Sequence, residues 1–585
     1  MNPQFKLLFI VFAFIPQFNF AQTNIQVSNQ LVENILTGNY NRGDYQPTLF
    51  IKNQDSLING LINEISNDSL FSYLRKLESF YNRNTASDTH SNNTGIGACR
   101  RWIYAKFQQF SEQNENRLIT SYLDFNKSVC GMGSHKNVMA VLPGLDPTSD
   151  EILIVEGHFD TRCEGGCDTT CYTPGMDDNG SGTVLVMELA RVMSKYAFNK
   201  TIVFTTTTGE DQGLHGATAF AQYCADKALL VKAVFNNDVV GGIYCGYTSS
   251  PPSCPYAGHT DSTHVRIFSY SQINDSFRNS SHKQLARYIK MNQEEKINPK
   301  LLYPLIINLM IMEDRTGRGG DHIPFRKKGY AAIRYCAANE HGNGKGILPD
   351  RTHTSTDIIG VDTTQPPDGS IDSFFVNLNY LRRNALSNGI NVGLIANSPL
   401  VPNPEFIPVW TGIDILMKDK DSLFKNYRVG IRSKGSGTLY FDTVMSFTGN
   451  SKIHINKLDA GKTYFFSVAN VENGISSLFS EEFSFEYKVS LKEYHEQTFS
   501  LLQNSPNPFF KTSKIKIIAE PKIENKNASI VIRDITGKIV FTERIQLHGG
   551  INTYIFTNNG EFKGLYTYSV VIGNQISQTL KMIVL

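Results

Sequence analysis

The sequence has little net charge and few tryptophans. Its 585 residues include 56 Lys and Arg against 54 Asp and Glu, a formal charge of +2, and only 2 Trp. This balance provides no basic surface for nucleic acid or for an anionic membrane, so we expect neither partner. Hydrophobic residues make up 41% and charged residues 19%, as in a globular chain. At about 150 residues per domain, the length predicts several domains.

Long apolar runs are also scarce. The run at residues 7–15 follows Lys6 and is far shorter than the ~20 residues of a membrane span, and Ala21 suits cleavage. We therefore predict a signal peptide over 1–21, no transmembrane anchor after its removal, and a chain that is secreted or lies on the outer cell surface. The interrupted run at 301–312 favours a buried helix.

Three common catalytic motifs are missing. Gly180-Ser181-Gly182 follows Asn179 rather than the glycine of a GxSxG elbow, and His495-Glu496 is not followed by the second His of an HExxH helix. The glycines between 342 and 346 precede no Lys-Ser/Thr pair, so they do not form a phosphate loop. These absences argue against a serine hydrolase, an HExxH protease and a P-loop enzyme.

Nine cysteines fit an oxidising compartment, where disulfides persist. We expect Cys245 to pair with Cys254 and propose Cys99 with Cys130 as a second pair. The CxxxCxxxC triplet could bind a metal, but it lacks close CxxC pairs and a fourth ligand, so loop disulfides are favoured. The triplet comprises Cys163, Cys167 and Cys171. The odd total implies an unpaired thiol or a bond to another chain.

Apolar strand patterns alternate with helical patterns through the middle of the chain. The predicted strands are 138–142, 152–156, 201–208, 233–236 and 331–335, and the helices include 181–196 and 215–228. This alternation predicts an α/β fold, a mixed sheet with helices on both faces, over residues 65–395. Residues 22–64 are predicted to be an N-terminal extension.

The C-terminal part has a different pattern. After the proline-rich stretch at 399–408, residues 405–488 show short alternating strands with Gly and Asn turns and no long helix. A further all-β block occupies 500–585, opened by Gln503-Asn504-Ser505-Pro506. We predict two C-terminal β-sandwich domains.

Chemically informative residues follow the predicted strands. In chain order they are His158 and Asp160, Asp177 and Asp178, Glu210 and Asp211, Asp238, and His353. Ligands of an open α/β sheet collect at the carboxyl ends of its strands, so these side chains should meet at one edge. Taken singly, Asp177 and Asp178 could equally cap the helix near Ser181, but the ordered set favours a site.

Clustered carboxylates would repel one another unless cations offset their charge. Histidine with carboxylate suits Zn²⁺, with Mn²⁺ and Co²⁺ as open alternatives. Two such ions can share a carboxylate and activate a water molecule. One carboxylate must then stay off the metals to accept the proton, and the adjacent pair Glu210 and Asp211 permits that division.

In these motifs the chain resembles the co-catalytic zinc aminopeptidases, over residues 65–395. They are His158-x-Asp160, Pro-Gly-x-Asp177-Asp178-Asn, Gly209-Glu210-Asp211-x-Gly213-Leu214-x-Gly216, Asp238 and His353-Thr. The resemblance implies two Zn²⁺ ions bridged by Asp177, with His158 and Asp238 on one ion and Asp211 and His353 on the other. It also implies Glu210 as general base, Asp160 as the residue that orients His158, and a cis bond between Asp177 and Asp178. Asp211 stands where many relatives have Glu.

The two trailing blocks show weaker resemblances. Leu458, Tyr464 and Gly474 are spaced as in the late strands of a fibronectin type III domain. The last block resembles the C-terminal sorting domain of type IX secretion substrates. That resemblance is carried by Asn504-x-Pro506-Asn507-Pro508-Phe509, Asp534-x-x-Gly537-Lys538, Gly564-x-Tyr566 and the terminal Lys581–Leu585. It implies that secretion machinery is a partner.

We therefore predict a secreted zinc metallopeptidase that removes N-terminal residues from peptide or protein substrates. Within enzymes, the alternatives are a carboxypeptidase and a glutaminyl cyclase on the same scaffold. Outside enzymes, the alternative is a surface adhesin that has lost activity. The base at Glu210 argues against an adhesin, since binding alone does not need it.

Overall fold

The computed structural model describes residues 22–48, 53–244, 259–271, 279–315, 318–338, 351–409, 411–418, 423–434, 439–449, 451–487, 499–521, 523, 525–573 and 575–585. The predicted signal peptide therefore lies outside the described residues. The chain divides into two compact units. The first reaches Pro404 and also includes Met417–Ser451 and Phe465–Phe483. The second comprises Glu405–Leu416, Lys452–Tyr464 and Ser484–Leu585.

A nine-stranded mixed sheet forms the centre of the first unit. Its strands are β1 (Thr23–Val27), β2 (Ile119–Val129), β3 (Met132–Leu142), β4 (Glu151–His158), β5 (Thr201–Thr207), β6 (Leu230–Asn237), β7 (His264–Ser269), β8 (Ile306–Leu309) and β9 (Ala332–Ala337). Their spatial order is β1-β2-β3-β5-β4-β6-β9-β7-β8. The central strands β5, β4, β6 and β9 run parallel, so their carboxyl ends share one edge.

Helices cover both faces of this sheet, as predicted. They are α1 (Gln30–Leu36), α2 (Gln54–Glu64), α3 (Asn67–Glu78), α4 (Gly95–Gln113), α5 (Gly182–Met193), α6 (His215–Asp226), α7 (Ser281–Asn292), α8 (His322–Lys327) and α9 (Leu378–Ala396). Shorter helical turns span Arg42–Tyr45, Met176–Ser181, Gln293–Ile297 and Asn298–Lys300, and a small hairpin joins Gly360–Val361 to Ser373–Phe374.

The two faces correspond to two hydrophobic clusters, because side chains alternate along a strand. On β4, Leu153 and Val155 join the cluster that contains residues of α2 to α5, α7 and α9. Ile152 and Ile154 join the second cluster, with residues of α1, α6 and α8. A strand covered on both faces is apolar throughout, which explains the unbroken runs in the sequence.

The predicted strands and helices of this region are confirmed, with one exception. The run at 301–312 contains the strand β8 rather than a buried helix. Pro304 cannot donate a backbone hydrogen bond within a helix, and Leu302 is 87% exposed. Among the described residues, none of the helices has the length and hydropathy required to cross a bilayer.

A second sheet belongs largely to the first unit. Its strands are Thr443–Thr448, Asn426–Ser433, Thr463–Glu472 and Ile475–Ser476 in spatial order, and Phe483–Glu486 also pairs with Thr463–Glu472. Glu482 connects this segment to α7: it accepts from Arg287 Nη1 at 3.1 Å and from Arg432 Nε and Nη2 at 2.7 and 2.6 Å. Arg287 and Glu482 have fully buried side chains. Within the first unit, a buried ion cluster therefore joins the sheet segment that carries Arg432 and Glu482 to α7.

Glu482→Gln is expected to lower the free energy of unfolding by about 3 kcal/mol, because it removes the shared anion of two buried guanidinium groups. Urea unfolding of both proteins measures this change. The matched control is Glu295→Gln. Glu295 pairs with Arg428 at 2.6 Å but is 41% exposed, so its loss should cost under about 1 kcal/mol. Equal effects of the two substitutions would contradict the prediction.

The second unit consists of strands. Glu405–Val409, Gly412–Leu416 and Lys452–Ile455 form one sheet. Near the C-terminus, Phe499–Leu501, Thr512–Ala519 and Gly550–Thr557 form a second. A third contains Lys526–Arg533, Ile539–Leu547, Gly564–Ile572, Gln575–Ile576 and Leu580–Val584. The last two sheets share one hydrophobic cluster, as a β-sandwich requires.

The two module assignments stay predictions. The Tyr464 hydroxyl accepts a hydrogen bond from the backbone N–H of Asp459 at 2.8 Å, the type of contact expected of a tyrosine corner. The compact units do not coincide with the predicted boundaries, since 417–451 and 465–483 group with the peptidase-like region.

Candidate metal and catalytic site

Three parallel strands deliver acidic and imidazole groups to one sheet edge. His158 is the last residue of β4, Glu210 and Asp211 follow β5, and Asp238 follows β6. His158 and Asp238 are almost fully buried, at 1% and 3% exposure. Their meeting agrees with the sequence-based expectation for strand ends.

The turn before α5 adds another carboxylate. Gly182 opens the helix at a position where a Cβ atom would lie 2.1 Å from the Asn237 carbonyl oxygen, so only glycine permits this approach to β6. Asn179 secures the same contact, since its Nδ2 donates to that carbonyl at 2.8 Å. The turn Met176–Ser181 is thereby held against the strand ends.

Asp178 lies between the two histidines. Its Oδ1 is 3.3 Å from His158 Nε2, and its Oδ2 is 3.1 Å from His353 Nε2. His353 Nε2 is also 3.0 Å from Asp211 Oδ1, and His158 Nε2 is 3.5 Å from Asp238 Oδ1. Among the described residues, donor atoms therefore gather into three overlapping groups: Asp178 with Asp211 and His353, His158 with Glu210 and Asp238, and His158 with Asp160 and Asp211.

The structure does not bring Asp177 into either group, which corrects the expectation that Asp177 lies between the ions. Asp177 Oδ1 accepts hydrogen bonds from the backbone N–H groups of Gly241 and Gly242, both at 2.9 Å. Burial raises the pKa of Asp177 to about 7. The position predicted for Asp177 is occupied by Asp178.

The cis peptide bond also lies one residue later than predicted. It joins Asp178 to Asn179, so the expected cis bond between Asp177 and Asp178 is wrong. Asp357 holds the turn in place, since its two carboxylate oxygens accept from the backbone N–H groups of Asp177 and Asp178 at 2.8 and 3.0 Å. The sequence analysis gave Asp357 no role.

Asp160 connects the first histidine to the expected base. His158 Nδ1 lies 3.2 Å from the Asp160 backbone carbonyl oxygen, which can only accept, so Nδ1 carries the proton. Nε2 faces the acidic cluster, 3.3 Å from Asp178 Oδ1 and 3.5 Å from Asp238 Oδ1. Asp160 Oδ1 accepts from the Glu210 backbone N–H at 3.3 Å. Asp160 is therefore placed to orient both residues.

The surroundings of Asp178 and Glu210 shift the pKa values of these two acids in opposite directions. Burial raises the pKa of Asp178, but its contacts with His158 and His353 more than offset burial and hold that pKa well below its usual range. Burial, together with the neighbouring charges of Asp238 and Asp321, raises the pKa of Glu210 well above its ordinary value. The surroundings therefore favour the charged form of Asp178 and the neutral form of Glu210.

The residues fit a zinc site. Among the described residues, His158 Nε2, Asp211 Oδ2 and Asp160 Oδ2 are buried polar atoms without a hydrogen-bond partner. Buried polar atoms are rarely left unsatisfied, and imidazole nitrogen with carboxylate oxygen is the donor set that zinc accepts. The clustered side chains therefore offer the nitrogen and carboxylate donors that a zinc ion could bind.

Two arginines, Arg83 and Arg162, also adjoin the site, and the sequence patterns indicated a role for neither. Arg83 is fully buried and donates to the Phe159 and Gly175 carbonyls at 2.8 and 3.1 Å, which ties together the segments that carry His158 and Asp178. Between these segments lies a disulfide-bonded loop. Arg162, at its start, places Nε 3.3 Å from Asp211 Oδ1.

The disulfides pair Cys130 with Cys167 and Cys163 with Cys171. The triplet thus forms loop disulfides, as favoured. The proposed Cys99–Cys130 pair is wrong, because Cys99 is a buried free thiol of the α4 core. Cys245 and Cys254 lie outside the described residues.

Comparisons with known proteins agree with this geometry. Residues 137–365 match the model of peptidase family M28. A probable zinc metalloprotease of Leptosphaeria maculans is 31% identical over 304 residues, covering 48% of this chain and 66% of that protein. One from Pyrenophora tritici-repentis is 27% identical over 410 residues, covering 67% and 87%. The chain spans slightly less than two thirds of the Leptosphaeria relative.

Solved structures with related folds show lower identity. The Legionella pneumophila LapA aminopeptidase has a TM-score of 0.42 at 20% identity, covering 58% of this chain and 74% of that one. A Porphyromonas gingivalis glutaminyl cyclase has a TM-score of 0.34 at 19% identity, covering 56% and 97%. Residues 137–365 thus resemble peptidase family M28, and the curated relatives that the chain matches are probable zinc metalloproteases.

Proposed function

We propose that the chain is an aminopeptidase that works with two zinc ions. His158 and Asp238 would hold one ion, Asp211 and His353 the other, and Asp178 would serve both. The observation that carries this proposal is the position of Asp178, whose two carboxylate oxygens face two different histidines at 3.3 and 3.1 Å. A single ion would need only one of these groups.

When bound, the two zinc ions polarise the scissile carbonyl and lower the pKa of a water molecule. Glu210 supplies the base: it accepts the proton from the attacking water and later donates it to the leaving amine. Its raised proton affinity suits both steps. Asp160 fixes the Glu210 backbone and the tautomer of His158, so that the base and the imidazole keep their relative positions.

Removal of residues from the N-terminus is the expectation from the sequence resemblance. A carboxypeptidase or a glutaminyl cyclase could use the same scaffold, and the relatives support zinc peptidase chemistry without naming a terminus. A non-catalytic adhesin is disfavoured because binding alone does not need a base such as Glu210. Peptides and proteins with a free N-terminus are the proposed substrates.

Export is proposed on separate grounds. Two disulfides persist in an oxidising compartment and fit a secreted or surface-exposed enzyme. The block from 500 to 585 would then be recognised by secretion machinery, as its resemblance implies, and the 405–488 block would act as a spacer or binding module.

The test uses one peptide sequence in three forms (free at both ends, C-amidated, and N-acetylated) and a second peptide with N-terminal glutamine, each incubated with the purified full chain. We expect stepwise N-terminal shortening of the free and the C-amidated peptides, because neither change blocks the N-terminus. The N-acetylated peptide should stay intact. A chelator should abolish the shortening and added zinc should restore it, measured by mass spectrometry.

The outcomes separate the alternatives. Shortening that stops with C-amidation and tolerates N-acetylation would identify a carboxypeptidase. Loss of ammonia from a peptide with N-terminal glutamine, without shortening, would identify a glutaminyl cyclase. Metal-loaded protein that changes none of the peptides would contradict the proposed enzyme.

A further inference from the structure

A buried arginine lies directly beside Asp238. Arg334 is on β9, where it pairs in register with Asn236 of β6, two residues before Asp238. Its side chain is fully buried, and its Nη2 lies 3.0 Å from Asp238 Oδ2. Arginine side chains are seldom fully buried unless their charge is paired, and Asp238 provides a paired charge here.

The second terminal nitrogen of the guanidinium, Nη1, contacts Asp314 and Gly319. Arg334 Nη1 lies 3.2 Å from both carboxylate oxygens of Asp314 and donates to the Gly319 carbonyl at 3.0 Å. Arg315 Nε in turn donates to Asp314 Oδ1 at 3.0 Å. The planar, rigid fork of arginine can connect two acids in fixed directions, which a lysine cannot do.

The two carboxylate oxygens of Asp238 therefore contact different residues. Oδ1 faces His158 Nε2 at 3.5 Å, and Oδ2 is engaged by Arg334. An aspartate free on both oxygens could rotate or bind an ion through both. With Oδ2 engaged, the carboxylate presents one oxygen in one direction.

We propose that Arg334 is a positioning residue, braced by Asp314, that fixes Asp238 as a one-oxygen ligand of the zinc ion beside His158. This inference rests on the proposed function, because it assigns a partner to one of the proposed ligands. Partners of metal-ligating groups commonly change metal affinity about 10–100-fold when they are replaced. The effect should be confined to the His158–Asp238 half of the site.

The half of the site that contains Asp211 and His353 also has an arginine, Arg162, but its surroundings differ from those of Arg334. Arg162 approaches Asp211 through Nε at 3.3 Å, but its side chain is 25% exposed, so solvent screens it. In that half, His353 Nε2 lies 3.1 Å from Asp178 Oδ2 and 3.0 Å from Asp211 Oδ1. Replacing Arg334 should therefore leave that half nearly unchanged.

The experiment measures zinc binding to metal-stripped full-length protein by competition with a chromophoric chelator. Arg334→Lys keeps the charge but loses the fork, and we expect one of two zinc equivalents to bind about 10-fold more weakly. Asp314→Asn, which removes only the brace, should weaken the same equivalent less. The matched control is Arg266→Lys: Arg266 is equally buried on the adjacent strand β7 and donates to the Ala337 carbonyl at 2.8 Å.

Combining Arg334→Lys with a substitution of either histidine shows which half of the site is affected. In His353→Ala protein, which keeps the His158–Asp238 pair, Arg334→Lys should still weaken zinc binding. In His158→Ala protein it should have little effect. Thermal unfolding of each metal-free variant separates a fold defect from a binding defect.

Unchanged affinities in Arg334→Lys, or equal weakening of both equivalents, would overturn the inference. Equal weakening with a lowered unfolding temperature would mean a purely structural arginine. If wild-type protein binds no zinc at all, the proposed function fails instead, so the two failures are distinguishable.

Discussion

Glu210→Gln is expected to reduce kcat for peptide hydrolysis by about 10²–10⁴-fold, the contribution typical of a general base. Glutamine has the same shape but cannot accept a proton from water. The backbone N–H of Glu210, which donates to Asp160 at 3.3 Å, is unaffected, so the local structure should persist. Steady-state hydrolysis of a free N-terminal peptide measures the change.

Zinc content is the control for this substitution. Because Glu210 lies beside His158 and Asp238, it could contribute to metal retention as well as to proton transfer. The base assignment predicts two zinc equivalents before and after the substitution. Glu164→Gln alters an exposed acid on the neighbouring loop and should leave kcat unchanged. Hydrolysis that persists at the wild-type rate in Glu210→Gln would remove Glu210 from the mechanism.

Much of the fold was predictable because the central strands are buried on both faces. Thr201–Thr207 and Ile152–Glu156 read as apolar runs for that reason, and the spacing between them left room for a helix. The segment at 301–312 was misjudged because hydrophobicity alone does not separate an exposed edge strand from a buried helix. Leu302 and Tyr303 are apolar yet 87% and 66% exposed.

The residues at the strand ends could be predicted from the sequence, but the acid of the Met176–Ser181 turn that faces the cluster could not. His158 and Asp238 each follow a strong strand, which fixes their direction. Asp177 and Asp178 are adjacent acids in a turn, and sequence cannot say which of them faces the cluster. The answer depends on two distant backbone donors, Gly241 and Gly242, that engage Asp177.

Arg334 and Arg83 were beyond sequence analysis for a related reason. Each is a basic residue within or beside apolar segments, and nothing local marks it as buried. Its role follows from contacts with residues 76–96 positions away, such as Phe159 for Arg83 and Asp238 for Arg334. Long-range pairs of this kind are fixed by the assembled sheet alone.

Asp178→Asn is expected to lower zinc content from two equivalents to at most one and to reduce hydrolysis by about 10³-fold, as for the loss of a transition-state stabiliser. An asparagine amide keeps one oxygen, but its NH₂ group can only donate. It therefore cannot present acceptors to both groups. Because the two carboxylate oxygens face His158 and His353 at 3.3 and 3.1 Å, one half of the site loses its acceptor whichever way the amide turns.

The neighbouring substitution, Asp177→Asn, decides between the two adjacent acids. Asp177 accepts from two backbone N–H groups through Oδ1, and the amide oxygen of asparagine can accept the same bonds. We therefore expect two zinc equivalents and near wild-type hydrolysis in Asp177→Asn. If Asp177→Asn empties the site while Asp178→Asn keeps both ions, the carboxylate that serves the two metals is Asp177. Parallel zinc analysis of the two proteins thus tests the structural assignment independently of which peptide bond the enzyme cleaves.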